Sequence, residues 1–232
     1  MEDNLNNETE RFLEYLIEKQ KKYLTRNEIS LIYEEFQKLW KQKNNFNKIF
    51  DNLRKNKILF LIDKNWCILT KEESLIIKRD KSMYNSIFFQ NLFGYFKEVN
   101  IRAYFGLASA EYFKGNSWQS PHTFYIINEK YHLKKKIKNQ TIIFIKFPEG
   151  IIIENAILHK DSLDAKPFSD NEKTFLDKIY YIEYLKGKIN LFVPDSLNLE
   201  KINLYLSFYK KYPFIRSKLI SLLDEEQLKK IR

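Results

Sequence analysis

The chain has 232 residues, 40 basic against 30 acidic, with a formal charge of +10 and a pI near 9.3. That length allows two modest domains or one large one, two being the expectation, and the basic balance suits nucleic acid or an anionic surface as a partner. No apolar run reaches the roughly 18 residues of a membrane span. Residues 1–10 are acidic and Asn-rich, unlike a signal peptide, and a single cysteine excludes an internal disulfide; a cytoplasmic protein is expected.

Asn7 with Glu10 three residues later has the form of a helix cap, and Phe12, Leu13, Leu16 and Ile17 then share one face, which predicts a helix over 8–22. Thr25 and Glu28 make a second capping box, followed by Ile29, Ile32, Tyr33 and Phe36 at the i, i+3, i+4, i+7 spacing of a buried stripe. Asn44 or Asn45 caps a third helix, in which Phe46, Ile49, Phe50 and Leu53 repeat that spacing. Residues 58–62 and 66–69 read as two apolar strands around the turn Asp63-Lys64-Asn65, with Cys67 a buried structural thiol inside the second. Three helices and a hairpin are the order of a winged helix-turn-helix, expected over 1–78.

Charge is sharply segregated within this segment. Residues 38–64 hold eight basic residues against two acids, whereas 1–37 are net acidic. Clustered lysines repel one another unless a partner or solvent neutralises them. On a helical wheel, the face opposite the apolar stripe of the third helix carries Asn44, Lys48, Asp51 and Lys55, flanked by Asn47 and Asn52. Such a helix fits a major groove about 12 Å wide, where Asn pairs with adenine and Lys with guanine edges. These six are the expected base contacts, with Lys41, Lys43, Arg54, Lys57 and the turn residue Lys64 near phosphates.

The charged run Lys78-Arg79-Asp80-Lys81-Ser82 reads as the domain boundary, and 84–232 as a larger mixed α+β domain with a small sheet and C-terminal helices. A Phe-rich helix is predicted over 86–99. A second follows over 103–115, ended by Gly115, where Gly106, Ala108, Ser109 and Ala110 permit close packing. Residues 123–128 and 141–147 read as central strands, and 151–153 and 156–159 as shorter ones. Between the two central strands lies Lys130-Tyr-His-Leu-Lys-Lys-Lys-Ile-Lys138, read as a hairpin tip; Lys134, Lys135, Lys136 and Lys138 offer a second set of phosphate contacts. Ser169-Asp-Asn-Glu172 has the form of a capping box ahead of a helix carrying Phe175, Ile179 and Ile182. Asn198 caps a helix with Ile202, Tyr205, Leu206 and Tyr209, and Pro213 starts a last one.

The stretches Tyr104-Phe-Gly-Leu-Ala-Ser-Ala110 and Ser169-Asp-Asn-Glu-Lys-Thr-Phe-Leu-Asp177, with the closing helices and the N-terminal architecture, resemble the AbiEi antitoxin family. The resemblance implies a DNA-binding autorepressor and antitoxin of a type IV toxin–antitoxin system acting in abortive phage infection. It implies inverted repeats in an operator as the DNA target, two copies per operator from a monomer or weak dimer, and a nucleotidyltransferase-like toxin as a functional partner without a stable complex. The motif residues Tyr104, Gly106, Ser109, Ala110, Glu172, Lys173, Thr174 and Asp177 are then structural, Glu172 as a cap partner.

An enzyme is not expected, and no cofactor. The competing reading is a metal-dependent nuclease using Asp161, Asp164 and Lys166, since paired carboxylates hold Mg²⁺ and a lysine positions the attacking water. Against it, Pro167 follows Lys166 directly and a loop ahead of a capped helix explains the acids. Ser109 lacks the second glycine of a nucleophile elbow, and His122, His132 and His159 show no ligand spacing. The 19 Phe and 15 Tyr fall mostly at core spacing, which disfavours an aromatic RNA-binding surface.

Overall fold

The structure, a computed structural model, describes residues 7–41, 45–56, 58–62, 64–81, 83–115, 119, 121–137, 140–159, 166–194 and 196–228. It is mixed α and β with two small sheets and C-terminal helices. The chain divides into two compact units, Met1–Tyr95 and Phe96–Arg232. The division falls inside a helix and not at the charged run 78–82. Among the described residues no helix is long and apolar enough to cross a membrane.

The first unit opens with α1 (Asn7–Glu18), β1 (Tyr23–Thr25), α2 (Arg26–Trp40) and α3 (Phe46–Lys55). Most of the predicted stripes form its core: Phe12, Leu13 and Leu16 of α1, Ile29, Tyr33 and Phe36 of α2, and Ile49, Phe50 and Leu53 of α3 bury together, with Ile32 and Phe46 partly buried at its edge and Ile17 exposed. Thr25 caps α2 in a complete capping box, its hydroxyl accepting the Glu28 N–H while the Glu28 carboxylate accepts the Thr25 N–H. Those hydrogen bonds hold the Glu28 carboxyl below its ordinary pKa. Asn45 caps α3, its side chain accepting the Asn47 N–H at 2.8 Å. Next come β2 (Leu59–Ile62) and β3 (Asn65–Ile68), antiparallel, with β1 on the far side of β3 in the order β1-β3-β2.

Strand β1 was not legible, because three residues carry no periodicity. The unit ends with α4 (Lys71–Arg79) and most of α5 (Met83–Glu98). Helix α4 carries only Lys78 and Arg79 of the charged run 78–82 and ends there, with Asp80 as its C-cap. Its start is marked by Thr70-Lys-Glu-Glu73, a capping box as complete as that of α2. Asn91 of α5 ties this helix to the sheet: its carbonyl accepts the Tyr23 hydroxyl at 2.7 Å and its side chain accepts the buried Cys67 thiol.

The second unit is built on a six-stranded sheet of order β6-β7-β5-β4-β9-β8, from β4 (Ala103–Phe105), β5 (Thr123–Asn128), β6 (Leu133–Ile137), β7 (Gln140–Lys146), β8 (Ile157–His159) and β9 (Pro167–Ser169). Strands β5 and β7 pair in parallel, so they do not form a hairpin. The lysine-rich segment is not a tip but the edge strand β6, antiparallel to β7. The helix expected over 103–115 is a strand followed by α6 (Leu107–Lys114), and residues 149–151 are a 3₁₀ turn in place of the first short strand. Gly106 stands at the switch from strand to helix, and a Cβ there would lie 2.3 Å from Ile127 Cδ1, so a larger residue would force the buried Ile127 side chain to shift.

Helix α7 (Asn171–Glu183) runs through the middle of the unit, buried on nearly every side from Glu172 to Tyr180. It packs with α8 (Leu199–Leu206), α9 (Pro213–Leu222) and the sheet around Phe147, Phe175, Leu176, Ile179, Ile202 and Leu219; α10 (Glu225–Leu228) follows. Its cap is one residue later than the expected box. Asp170 accepts the Lys173 N–H at 2.8 Å, Ser169 belongs to β9, and Glu172 instead accepts the Asn198 N–H at the start of α8.

Candidate functional site

Two places gather polar chemistry: the outer face of α3 in the first unit and the buried start of α7 in the second. The α3 face follows from sequence spacing. Ile49, Phe50 and Leu53 turn inward, which leaves Asn47, Lys48, Asp51, Arg54 and Lys55 exposed and Asn52 half-buried. Lys41 is exposed at the left-handed C-cap of α2, and Lys64 is exposed in the turn between β2 and β3. Asn44, Lys43 and Lys57 lie outside the described residues.

Not all of this face is unoccupied. Arg54 donates to Asp51 at 3.4 Å, with its guanidinium 5.5 Å from the centre of the Trp66 ring. A surface pair of this kind is worth little, about 0–1 kcal/mol, and gives way to a stronger partner. Asn47 accepts from Arg26 at 2.8 Å, and Arg26 lies over Phe50 with its guanidinium 5.0 Å from the ring centre. Sequence reading missed Arg26. It sits inside the Thr25–Glu28 box as the first residue of α2, and only the packing of α2 against α3 brings it to the same surface. A second basic surface lies on β6, where Lys134 and Lys136 are exposed and Lys135 half-buried; Lys138 lies outside the described residues.

In the second unit the two motifs meet. Lys173 and Asp177, one turn apart on α7, are fully buried as an ion pair. The Lys173 ammonium also donates to the Tyr104 hydroxyl at 2.8 Å and the Tyr209 hydroxyl at 2.9 Å, and both tyrosines donate to the Asp177 carboxylate at 2.8 Å. Burial pushes the Lys173 amine down and the Asp177 carboxyl up, each opposed by the other's charge. Both tyrosine hydroxyls are driven well above their ordinary pKa by burial and by Asp177. Every polar atom of the quartet is satisfied and none faces solvent, the arrangement of a structural network.

Ser109 fits the same description: it is buried, and its oxygen accepts the Tyr125 N–H at 2.7 Å, a structural bond between α6 and β5. Asp161 and Asp164 lie outside the described residues, and Lys166 lies over the Phe113 ring at 5.9 Å. Among the described residues no group of three His, Cys, Asp or Glu side chains could hold a metal ion. No protein-family model matches the chain, and no curated protein matches it either.

Proposed function

We propose that the chain is a DNA-binding regulator whose first unit is a winged helix-turn-helix that inserts α3 into the major groove, and whose second unit is an antitoxin-type domain. The observation that carries this reading is the α3 surface: Lys48 and Lys55 project from a helix whose opposite side is fully buried, with Lys41 and Lys64 exposed at its flanks. A helix of this length, about 15 Å, fits the groove. The order α1-β1-α2-α3-β2-β3, with β1 closing the sheet on β3, supports the winged-helix reading, and Lys64 then sits at the wing tip. The antitoxin reading rests on the resemblance, and the junction of both of its motifs in the Tyr104–Lys173–Asp177 network supports it.

The test is binding of the full chain to the DNA upstream of its own gene, followed by fluorescence anisotropy. Lys48→Ala is expected to cost about 1–3 kcal/mol on the specific site and to relax its sequence preference; Lys64→Ala is expected to weaken all sequences alike and to lower the salt slope by about 1. Unchanged affinity and selectivity in Lys48→Ala sinks the placement of α3. For the second unit, co-expression with the adjacent toxin gene is the measurement, and failure to restore growth leaves a regulator alone.

A further inference from the structure

A cavity of about 320 Å³ opens in the second unit, lined by Glu111 and Lys114 of α6, Thr174 and Lys178 of α7, and Phe192 and Ser196 of the segment before α8. Its volume is at the small end of ligand sites, which start at roughly 300 Å³. Two features of the lining are not explained by folding, the Lys114 ammonium and the Phe192 ring. Glu111 is taken by Lys178 as an ion pair, whereas the ammonium of Lys114 has only the neutral Thr174 hydroxyl, at 3.1 Å, and no ion pair among the described residues. Among the described residues the other nearby acids are already engaged: Asp170 accepts from Tyr205 and Lys201, and Glu172 from the Asn198 N–H. Phe192, on the cavity wall, leaves 71% of its surface to water.

A half-buried ammonium with no ion pair of its own among the described residues is incompletely compensated, and the exposed Phe192 ring stands on the wall of the same cavity. We propose that this cavity binds a small molecule with an anionic group on a flat body, the phosphate or carboxylate against Lys114 and the flat part on Phe192. This is a site separate from the DNA surface, and its failure would leave the DNA reading untouched.

The experiment is calorimetric titration of the full chain at pH 7 and low salt with adenosine monophosphate, benzoate, adenosine and inorganic phosphate. Adenosine monophosphate and benzoate separate the phosphate from the carboxylate, and adenosine and phosphate test each half alone. At least one of the first two is expected to bind with a Kd below about 1 mM, and adenosine monophosphate, where it is the one bound, tenfold or more tighter than adenosine or phosphate. Lys114→Met is expected to weaken it at least tenfold, Phe192→Ala severalfold, and Lys210→Ala, an exposed lysine outside the cavity lining, not at all. Burial brings the Lys114 amine down to about 8, with Glu111 on its own helix and Asp170, Glu172 and Lys178 at α7 as the charged groups around it. Affinity should therefore fall about tenfold between pH 7 and 9 as the ammonium is lost, and bound ligand should raise the Lys114 titration seen by NMR in the unmodified chain. Absence of binding by both compounds, or binding indifferent to Lys114→Met and to pH, overturns the proposal.

Discussion

At the scale of the residue, the most consequential pair is Lys173 and Asp177. Removing one partner leaves the other charge buried among Tyr104 and Tyr209, so Lys173→Met or Asp177→Leu is expected to destabilise the chain by about 3–5 kcal/mol, measured by urea unfolding. Replacing both should cost less than the sum of the two, because no orphaned charge remains. Lys114 behaves in the opposite sense. Its folded pKa lies below its unfolded one, at about 8 against 10.5, so between those values the unfolded chain holds the extra proton and stability rises with pH. Lys114→Met is expected to stabilise the protein at pH 7 and to be close to neutral above pH 10, read as the difference between the two unfolding curves. Gly106→Ala, whose new methyl meets Ile127, should cost about 1–3 kcal/mol through overpacking.

At the scale of the element, the helices with both a cap and an apolar stripe were legible: α2, α3 and α8 begin where Thr25, Asn45 and Asn198 place them. Thr25→Ala should therefore cost about 1 kcal/mol by thermal unfolding, as cap removals do. What was not legible has a common physical cause. Strands β1, β4 and β9 are three residues long and owe their form to pairing with distant partners, such as Leu24 opposite Trp66 and Phe105 opposite Phe168. Helix α7 carries charged residues on sides that end up buried, because Lys173 and Asp177 satisfy each other one turn apart. The α3 face was readable since its inner and outer residues differ in polarity at helical spacing. Arg26 was not, since it reaches that face only through tertiary packing.

At the scale of the whole molecule, the surplus of ten positive charges is not spread evenly, and local density rather than the total decides how strongly a surface attracts a polyanion. DNA affinity is accordingly expected to fall linearly on a log–log plot against salt, with a slope near 0.9 per neutralised phosphate; a slope near zero would mean that the lysines of the first unit touch no backbone. The aromatic content, by contrast, goes mainly into the two cores, with Phe192, Phe208 and Phe214 among the exceptions. The run Lys134-Lys-Lys136 also has a meaning apart from any ligand. It occupies the outermost strand of the larger sheet, whose outer backbone groups are a template for any passing extended chain. Three ammonium groups in a row make that template repellent to another copy of itself, so Lys134→Thr with Lys136→Thr is expected to raise light scattering and thioflavin binding on storage above those of the unmodified chain.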